Sequence, residues 1–268
     1  SSLAGNLVTN DANGALDVFA YDRDTRQVAL VSVNQAGTGS GNGRSVALDL
    51  STNGQWVLFE SDASDLVPND TNNVADLFVR DLRTGRTTLA SVNRYGVARG
   101  GFNNASLSPD GRYIVFESFS SNLVTNTYSF VCNVFFRDLQ LGSNVLVSAT
   151  PGGACGNGHS ENPVMTPDGA WVAFQSRASD LATNDGNTRS DIYLRDVRGN
   201  ATVFVSVTPS GSSGANGGSI NPGVSDDGRF VGFESTALDL ATNSPPAGSG
   251  SVVYLRDLAA RTTAWISS

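Results

Sequence analysis

The chain contains no lysine and only one histidine, one methionine and two cysteines among its 268 residues. All 17 basic side chains are therefore arginines, and the formal net charge is −8. No run of basic residues provides the clustered cations that phosphate backbones and anionic membranes require, so we expect no nucleic-acid partner. No apolar run approaches the roughly 18–20 residues of a membrane-spanning helix, so we expect no transmembrane segment.

What the chain does contain is one phrase in five copies. The shared aspartates of the copies stand 59, 57, 58 and 61 residues apart. A repeat of this length is typical of one supersecondary unit that is copied along the chain, each copy burying its apolar faces against its neighbours. The copies read DVFAYDRDT, DLFVRDLRT, NVFFRDLQL, DIYLRDVRG and VVYLRDLAA, and the shared residues are Asp22, Asp81, Asp138, Asp196 and Asp257.

Each unit reads as four short β-strands, a to d, with β-branched and aromatic residues between turn residues. Examples are strand a at Ala105–Ser108, strand b at Arg112–Ser118, strand c at Ala75–Leu82 and strand d at Thr87–Asn93. Strand b opens with an aromatic residue and carries a phenylalanine three positions later, on the opposite face of the strand. A sheet with apolar groups on both faces must be covered on both sides. Four-stranded sheets packed face to face meet this need, so the sequence predicts an all-β fold, a β-propeller.

Two segments carry a resemblance to a known family. SPDGRYIVFES (Ser108–Ser118) and DLFVRDLRTG (Asp76–Gly85) resemble the WD40-like (PD40) repeat of the TolB type, and the resemblance covers essentially the whole chain. It implies a β-propeller and, usually, an extracytoplasmic bacterial protein, whether secreted, periplasmic or at the cell surface. It does not specify the function, because such folds carry many functions. We expect one domain over 1–268, with repeats at approximately 1–44, 45–104, 105–161, 162–220 and 221–268.

The strand count predicts an incomplete first blade. The chain opens with strand c (Leu16–Asp22), continues through four complete blades and closes with strand d (Thr262–Ser267). Strands a and b of blade 1 are thus not present in this sequence, and a bare strand edge is a template for pairing with another chain. We expect either a fragment of a larger propeller or completion of blade 1 by a second copy or a partner chain.

The loops between strands b and c and those between strands d and a are long and polar, whereas the other turns are short. Function usually lies on long loops that a rigid scaffold carries. We therefore expect a non-enzymatic scaffold that recognises a protein or a glycan through the long-loop face. The alternatives are an assembly subunit completed by another chain and an enzyme domain that acts on polysaccharide or peptide. His159 and Glu161 are the acid–base pair that the enzyme hypothesis needs, but neither recurs, so we assign no catalytic residue.

Two further expectations concern side chains within the repeats. The repeated aspartate of the phrase is expected to cap the turn after strand c, and the arginine before it to contact solvent or a neighbouring blade. Cys132 ends the b–c loop of blade 3, and Cys155 lies in the d–a loop that leaves the same blade. Because both loops reach the same face, we expect a disulfide between Cys132 and Cys155. It would close a loop of roughly 23 residues, stabilise the fold by about 3 kcal/mol and indicate an oxidising compartment.

Three b–c loops share the spacing Asp-x-Asn-x-x-x-Asp. This spacing gathers side-chain oxygens of the kind that Ca²⁺ prefers, although the bidentate glutamate of an EF-hand is missing. The alternative is an Asx turn that needs no metal. The corresponding loops of blades 3 and 5, around Asn126–Tyr128 and Asn243–Pro245, lack the pattern. The candidate ligands are Asp11, Asn13 and Asp17; Asp70, Asn72 and Asp76; and Asp185, Asn187 and Asp191.

Overall fold

The computed structural model describes residues 1–267 except 99, 126, 128, 129, 244 and 247. These residues form 18 β-strands, and the all-β expectation is confirmed. None of them lies in a helix that could cross a lipid bilayer.

The strands form five antiparallel sheets that follow the sequence repeats. Blade 1 has two strands, β1 (Phe19–Tyr21) and β2 (Val28–Leu30). Blade 2 is ordered β3 (Ser45–Leu50), β4 (Trp56–Ser61), β5 (Asp76–Asp81) and β6 (Arg86–Leu89). Blade 3 is ordered β7 (Phe102–Leu107), β8 (Tyr113–Ser118), β9 (Asn133–Asp138) and β10 (Ser143–Leu146).

Blades 4 and 5 repeat the same order of four strands. Blade 4 consists of β11 (Ser160–Met165), β12 (Trp171–Ser176), β13 (Asp191–Asp196) and β14 (Ala201–Phe204). Blade 5 consists of β15 (Ser219–Val224), β16 (Phe230–Ser235), β17 (Val252–Asp257) and β18 (Thr262–Trp265). Strands β1, β5, β9, β13 and β17 are thus the five predicted copies of strand c.

The chain divides into two compact units. Unit 1 comprises Ser1–Ile114 with Arg137–Asn144, and unit 2 comprises Val115–Phe136 with Val145–Ser268. Blades 1 and 2 lie in unit 1, blades 4 and 5 lie in unit 2, and the strands of blade 3 are shared between them. That the five repeats make one domain stays a prediction.

The core of unit 1 is built from the repeated aromatic and β-branched positions. Phe59 of β4 and Phe78 of β5 are directly opposite in the ladder, and their rings stack with centroids 5.6 Å apart. Val18 and Val31 of blade 1 belong to the same buried cluster. The sheet of blade 1 therefore covers the phenylalanine face of blade 2, as expected for strands with apolar residues on both faces.

Unit 2 uses the same arrangement with a tyrosine in strand c. Phe233 and Tyr254 stack at 5.9 Å, and the cluster around them includes Ile192 and Leu194 of blade 4. The Tyr254 hydroxyl donates to the Ala237 carbonyl at 2.6 Å. A buried tyrosine needs such a partner for its hydroxyl.

The glycine of the turn between strands a and b fills two roles. Gly111 and Gly228 have φ of 73° and 71°, which side-chain-bearing residues rarely adopt. A Cβ on Gly111 would also lie 2.2 Å from the Trp56 ring, and one on Gly228 would lie 2.5 Å from the Trp171 ring. The aromatic residue that opens strand b thus packs against the turn of the following blade.

The predicted ends of several strands are wrong. Strand d of blade 2 was expected over Thr87–Asn93, but β6 ends at Leu89, where the backbone N–H groups of Ala90 and Ser91 both reach the Leu77 carbonyl. This double contact ends the ladder. In blade 1, strand c was expected over Leu16–Asp22 but is regular only over Phe19–Tyr21.

Candidate functional site

The Asp-x-Asn-x-x-x-Asp loops bring their polar residues together, and the asparagine makes the contacts that join them. In blade 2, the Asn72 amide donates to Asp76 Oδ2 at 2.7 Å, while Asn72 Oδ1 accepts the Val74 N–H at 3.0 Å. In blade 4, Asn187 donates to Asp191 Oδ2 at 2.9 Å. Each asparagine thus forms an Asx turn with its oxygen and holds the aspartate with its nitrogen.

A serine in the segment after strand d completes each network, and the sequence analysis missed it. Ser91 Oγ donates to Asp76 Oδ1 at 2.5 Å and accepts the Leu77 N–H at 2.9 Å. The only signal in the sequence is a serine 15 residues after the loop aspartate. The same relay occurs in the other described copies as Asp17–Ser32–Val18, Asn133–Ser148–Val134 and Asp191–Ser206–Ile192.

Burial shapes the titration of these carboxyl groups. Asp17, Asp76 and Asp191 are fully buried. Burial raises the pKa of Asp191 to about 6; hydrogen bonds from Ser206 and Asn187 partly offset the rise, and the charge of Asp185 adds to it. Burial likewise raises the pKa of Asp17, Asp70 and Asp185.

The donor set fits calcium poorly in this arrangement. Ca²⁺ takes six to eight oxygen ligands, but the asparagine oxygens already accept backbone N–H groups, and both Asp76 oxygens accept side-chain hydrogen bonds. Three buried oxygens of the candidate ligands, Asp11 Oδ2, Asp17 Oδ2 and Asp70 Oδ1, have no hydrogen-bond partner among the described residues. The described part of the chain holds no group of three or more His, Cys, Asp or Glu side chains suited to a metal. Calcium binding stays a prediction, and Asn126, Tyr128 and Ser244 of the two aberrant loops lie outside the described residues.

The predicted disulfide is wrong for this structure, in which Cys132 and Cys155 are buried free thiols. Separate backbone contacts hold the two residues: Cys155 forms a β-bridge with Ala149, and the Cys132 carbonyl accepts the Ser160 N–H at 2.9 Å. Burial raises the pKa of the Cys132 thiol to about 12, with further contributions from the charges of Glu117 and Glu161. The cysteines therefore give no support to an oxidising compartment.

His159 is held by structural contacts. Its Nδ1 accepts the Cys132 N–H at 3.0 Å, and its ring packs edge-on against Phe119 with centroids 5.8 Å apart. This contact engages one of the two ring nitrogens as an acceptor. Of the predicted pair, His159 thus has a role in positioning the start of β9.

The repeated aspartate caps its turn, as predicted. Asp81 Oδ1 accepts the N–H groups of Arg83 at 2.9 Å and Thr84 at 3.3 Å. In blades 3 and 5 the aspartate also pairs with the arginine that follows the a–b turn: Arg112 with Asp138 at 2.7 Å and Arg229 with Asp257 at 2.6 Å. The letters DGR in both blades were an available signal for this ion pair.

The arginine beside that aspartate was expected at the surface or against a neighbouring blade, and the surface alternative is wrong for three of the four arginines. Arg137, Arg195 and Arg256 are buried. Each donates across the sheet to strand d of its own blade: Arg137 to Asn144 at 2.9 Å, Arg195 to Thr202 at 2.8 Å and Arg256 to Thr263 at 3.0 Å.

The long loops are tied to each other by a repeated set of hydrogen bonds. The Asn42 amide donates to Ser64 Oγ at 3.0 Å, Asn42 Oδ1 accepts the Ser64 N–H at 2.9 Å, and Asp65 Oδ1 accepts the Asn42 N–H at 2.9 Å. Asn157 makes the same contacts with Ser179 and Asp180. A d–a loop is thus fixed to the b–c loop of the next blade.

One group of exposed side chains lies on these loops in unit 1. Tyr95 is 69% exposed, and the Arg94 guanidinium lies 4.8 Å from the centre of its ring. Val74 and Val97 are also exposed, and Asn69 donates to the Gly96 carbonyl at 3.4 Å, which joins the two loops. We call Val74, Arg94, Tyr95 and Val97 the Tyr95 patch.

Comparison with known proteins supports the fold. No protein-family model and no curated protein sequence matches the chain. Among solved structures, an oligogalacturonate lyase in complex with manganese matches 95% of this chain at 11% identity, with a TM-score of 0.55. A structure from a study of two prolyl endopeptidases matches 94% at 11% identity, with a TM-score of 0.55. The chain has the fold of a β-propeller built from four-stranded blades.

The β-propeller fold that the TolB-type resemblance implies is confirmed by the repeated four-stranded sheets. TolB from Acinetobacter baumannii is among the matches, at 16% identity over 94% of this chain and with a TM-score of 0.47. The chain spans 60% of the lyase, 33% of the endopeptidase and 48% of this TolB.

Proposed function

We propose that the protein is a binding scaffold whose long loops recognise another protein, and that the Tyr95 patch is part of the contact surface. The observation that carries the proposal is the exposed Tyr95 with Arg94 across its ring, together with exposed Val97 in the same loop and Val74 in the loop joined to it by the Asn69–Gly96 hydrogen bond. Tyrosine and arginine are the residue types that dominate binding energy in protein interfaces. Exposed aliphatic side chains suit apolar side chains of a protein partner.

The loop network supports recognition because it limits the ordering that binding requires. The Asn42–Ser64–Asp65 contacts and their counterparts in blade 4 hold neighbouring loops in place before a partner arrives. Preorganised loops lose less conformational entropy on association, which favours affinity. The contact of His159 Nδ1 with a backbone N–H, and the lack of a second His–Glu pair in the repeats, favour binding over catalysis. At 11% identity, the matches to the lyase and the endopeptidase give information on the fold only.

A selection experiment tests this proposal. A phage-displayed peptide library is selected on the wild-type protein, and enriched peptides are titrated by calorimetry against wild type, Tyr95→Ala and Leu141→Ala. Leu141 is 72% exposed and lies in the c–d turn of blade 3, outside the patch, so it provides a control. We expect Tyr95→Ala to weaken binding by about tenfold or more and Leu141→Ala to leave it unchanged. Peptides that bind equally to all three proteins, or a glycan array with Tyr95-dependent binding and no such peptide, would contradict protein recognition.

A second candidate function rests on blade 1. Strand β1 pairs with β2 on one side. On the other side, the described residues form only the isolated bridge between Ser2 and Asp17, which precedes β1. The Ser2–Asp17 bridge corresponds to the Ser61–Asp76 pair of blade 2, where strand b continues along strand c. A groove of about 1540 Å³ lies beside this edge and is lined by Tyr21, Leu48 and Leu50. We propose that an extended strand of a partner chain pairs with β1 in this groove, continuing the Ser2–Asp17 bridge.

The strand pattern of the complete blades defines the probe for this second candidate. A labelled peptide of Gln55–Ser61, which is strand b of blade 2, is titrated against the protein by fluorescence anisotropy. Its control carries proline at the Val57 and Phe59 positions, because proline cannot donate to a ladder. We expect saturable binding of the first peptide only. Equal binding of both peptides, or of neither, would rule out strand addition at β1.

We also propose an extracytoplasmic location, supported by the TolB-type repeat resemblance. Fractionation of the source cells checks it directly, and recovery of the protein with cytoplasmic markers would contradict it.

A further inference from the structure

Blade 5 carries two neighbouring arginines where blade 4 carries an arginine and an acceptor. Arg256 of β17 stands at the position of Arg195 in β13, and Arg261 stands at the position of Asn200 in the following turn. In blade 4, Arg195 donates to the Asn200 side-chain oxygen. In blade 5, that acceptor is replaced by a second guanidinium, and the charge of Arg261 acts against that of Arg256.

The Arg256 guanidinium is buried without full pairing. Arg256 is 6% exposed; it donates through Nη1 to Thr263, while its Nε has no hydrogen-bond partner among the described residues. The adjacent carboxylate, Asp257, is paired with Arg229 at 2.6 Å. The Nε of Arg195 also lacks a partner within the described part of the chain, so what distinguishes blade 5 is the second cation at position 261.

Arg261 also adopts a backbone conformation that its side chain disfavours. Its φ is 57°, in the left-handed region, where the equivalent residues of blades 2, 3 and 4 are Gly85, Gly142 and Asn200. Glycine and asparagine occupy this region at lower energetic cost than arginine. Residues kept in sparsely populated conformations are found preferentially at functional sites.

Both arginines line a cavity of about 540 Å³ in unit 2. Hydroxyl and amide groups of Thr183, Asn184 and Ser210 line the same space. A paired guanidinium site next to neutral hydrogen-bonding groups matches the geometry of carboxylate and phosphate groups, which arginine binds through two parallel hydrogen bonds. An anion would also relieve the repulsion between the two cations.

We propose that Arg256 and Arg261 form a binding site for an oxyanion, a carboxylate or phosphate group carried by a small ligand. The site belongs to unit 2 and shares no residue with the Tyr95 patch or with β1, so it extends the proposed function and does not depend on it. Because the chain carries a net charge of −8, its surface as a whole repels anions. An anion that binds must therefore be held by these local arginines.

Calorimetry at low ionic strength tests the site with three probes: inorganic phosphate, glucuronate and glucose. We expect saturable binding of phosphate, glucuronate or both, no binding of glucose, and weakening by added NaCl. Phosphate binding alone identifies a phosphate ligand class, and glucuronate binding alone identifies a carboxylate class. Absence of saturable binding for both anions would overturn the proposal.

Two matched variants locate the binding. Arg261→Asn restores the blade 4 arrangement and places a residue that tolerates a positive φ, so the fold is expected to persist. Arg26→Asn removes the same charge from the equivalent turn of blade 1, where the φ of Arg26 is also 57°. In that blade Tyr21 occupies the position of the buried arginine, so the turn lacks the second guanidinium. We expect Arg261→Asn to weaken anion binding by about tenfold and Arg26→Asn to leave it unchanged. Equal affinities of wild type and Arg261→Asn would overturn the assignment.

Discussion

Blades 3 and 4 differ at the first residue of strand c and keep the same hydrogen-bond relay. In blade 4, Ser206 donates to Asp191 at 2.7 Å and accepts the Ile192 N–H at 3.0 Å. In blade 3, Ser148 donates to Asn133 at 3.0 Å and accepts the Val134 N–H at 3.1 Å. The relay therefore does not need a negative charge at this position.

Blade 5 extends the comparison. Its strand c begins with Val252, which offers no side-chain acceptor, yet Ser267 still accepts the Val253 N–H at 2.9 Å. The serine and the backbone N–H are the constant members of the relay, whereas the first residue of strand c varies. The buried N–H is the group that must be satisfied.

Removal of the serine from blade 4 should have the largest effect. Ser206→Ala leaves the buried Asp191 oxygen and the Ile192 N–H without their partner, and each such group costs about 1–3 kcal/mol. We expect the free energy of unfolding in urea to fall by about 3 kcal/mol. Ser267→Ala, where no carboxylate depends on the serine, should lower it by less. Equal losses in the two variants would show that the Asp191 contact contributes nothing.

Placing a charge in blade 3 should have the next largest effect. Asn133→Asp introduces a carboxylate at a buried position where the Asn133 amide donates to the Val131 carbonyl at 3.2 Å. The carboxylate loses that hydrogen bond and faces the carbonyl oxygen. We expect about 2 kcal/mol less stability at pH 8, and a smaller loss at pH 5 where the new group is partly protonated. A loss that does not depend on pH would indicate a packing defect.

Removal of the charge from blade 4 should instead raise the free energy of unfolding. The pKa of Asp191 is raised from 3.8 to about 6, so its contribution to stability is fully present below 3.8 and is lost as the pH rises through 6. Asp191→Asn removes this loss and keeps an acceptor for Ser206, but it gives up the hydrogen bond from the Asn187 amide, which offsets part of the gain. We expect the variant to exceed wild type by about 1 kcal/mol at pH 8, with the difference shrinking toward pH 4. Urea unfolding across this pH range measures it, and a variant less stable than wild type at pH 8 would contradict the expectation.

The repeat period, the strand types and the glycine turns could be predicted from the sequence because each rests on local chemistry that recurs. Phe59 and Phe78 recur as a pattern, and their stacking follows from strand alternation. The Ser206 relay could not be found this way, because serine is abundant and its partner lies 15 residues away. The cysteine prediction failed because reaching one face of the fold does not bring two sulfur atoms into bonding geometry.

Addition of calcium should have the smallest effect, and it distinguishes the calcium hypothesis from the Asx-turn alternative. In the arrangement of blades 2 and 4, the asparagine nitrogens face the carboxylates and their oxygens accept backbone N–H groups. With those contacts kept, millimolar CaCl₂ should change the melting temperature of chelator-treated protein by less than about 1 °C, because a ligand that does not bind the native state cannot stabilise it. A rise of several degrees that Asp70→Asn abolishes would show instead that the Asn72 amide turns over, so that its oxygen and the unpartnered Asp70 Oδ1 bind the ion together.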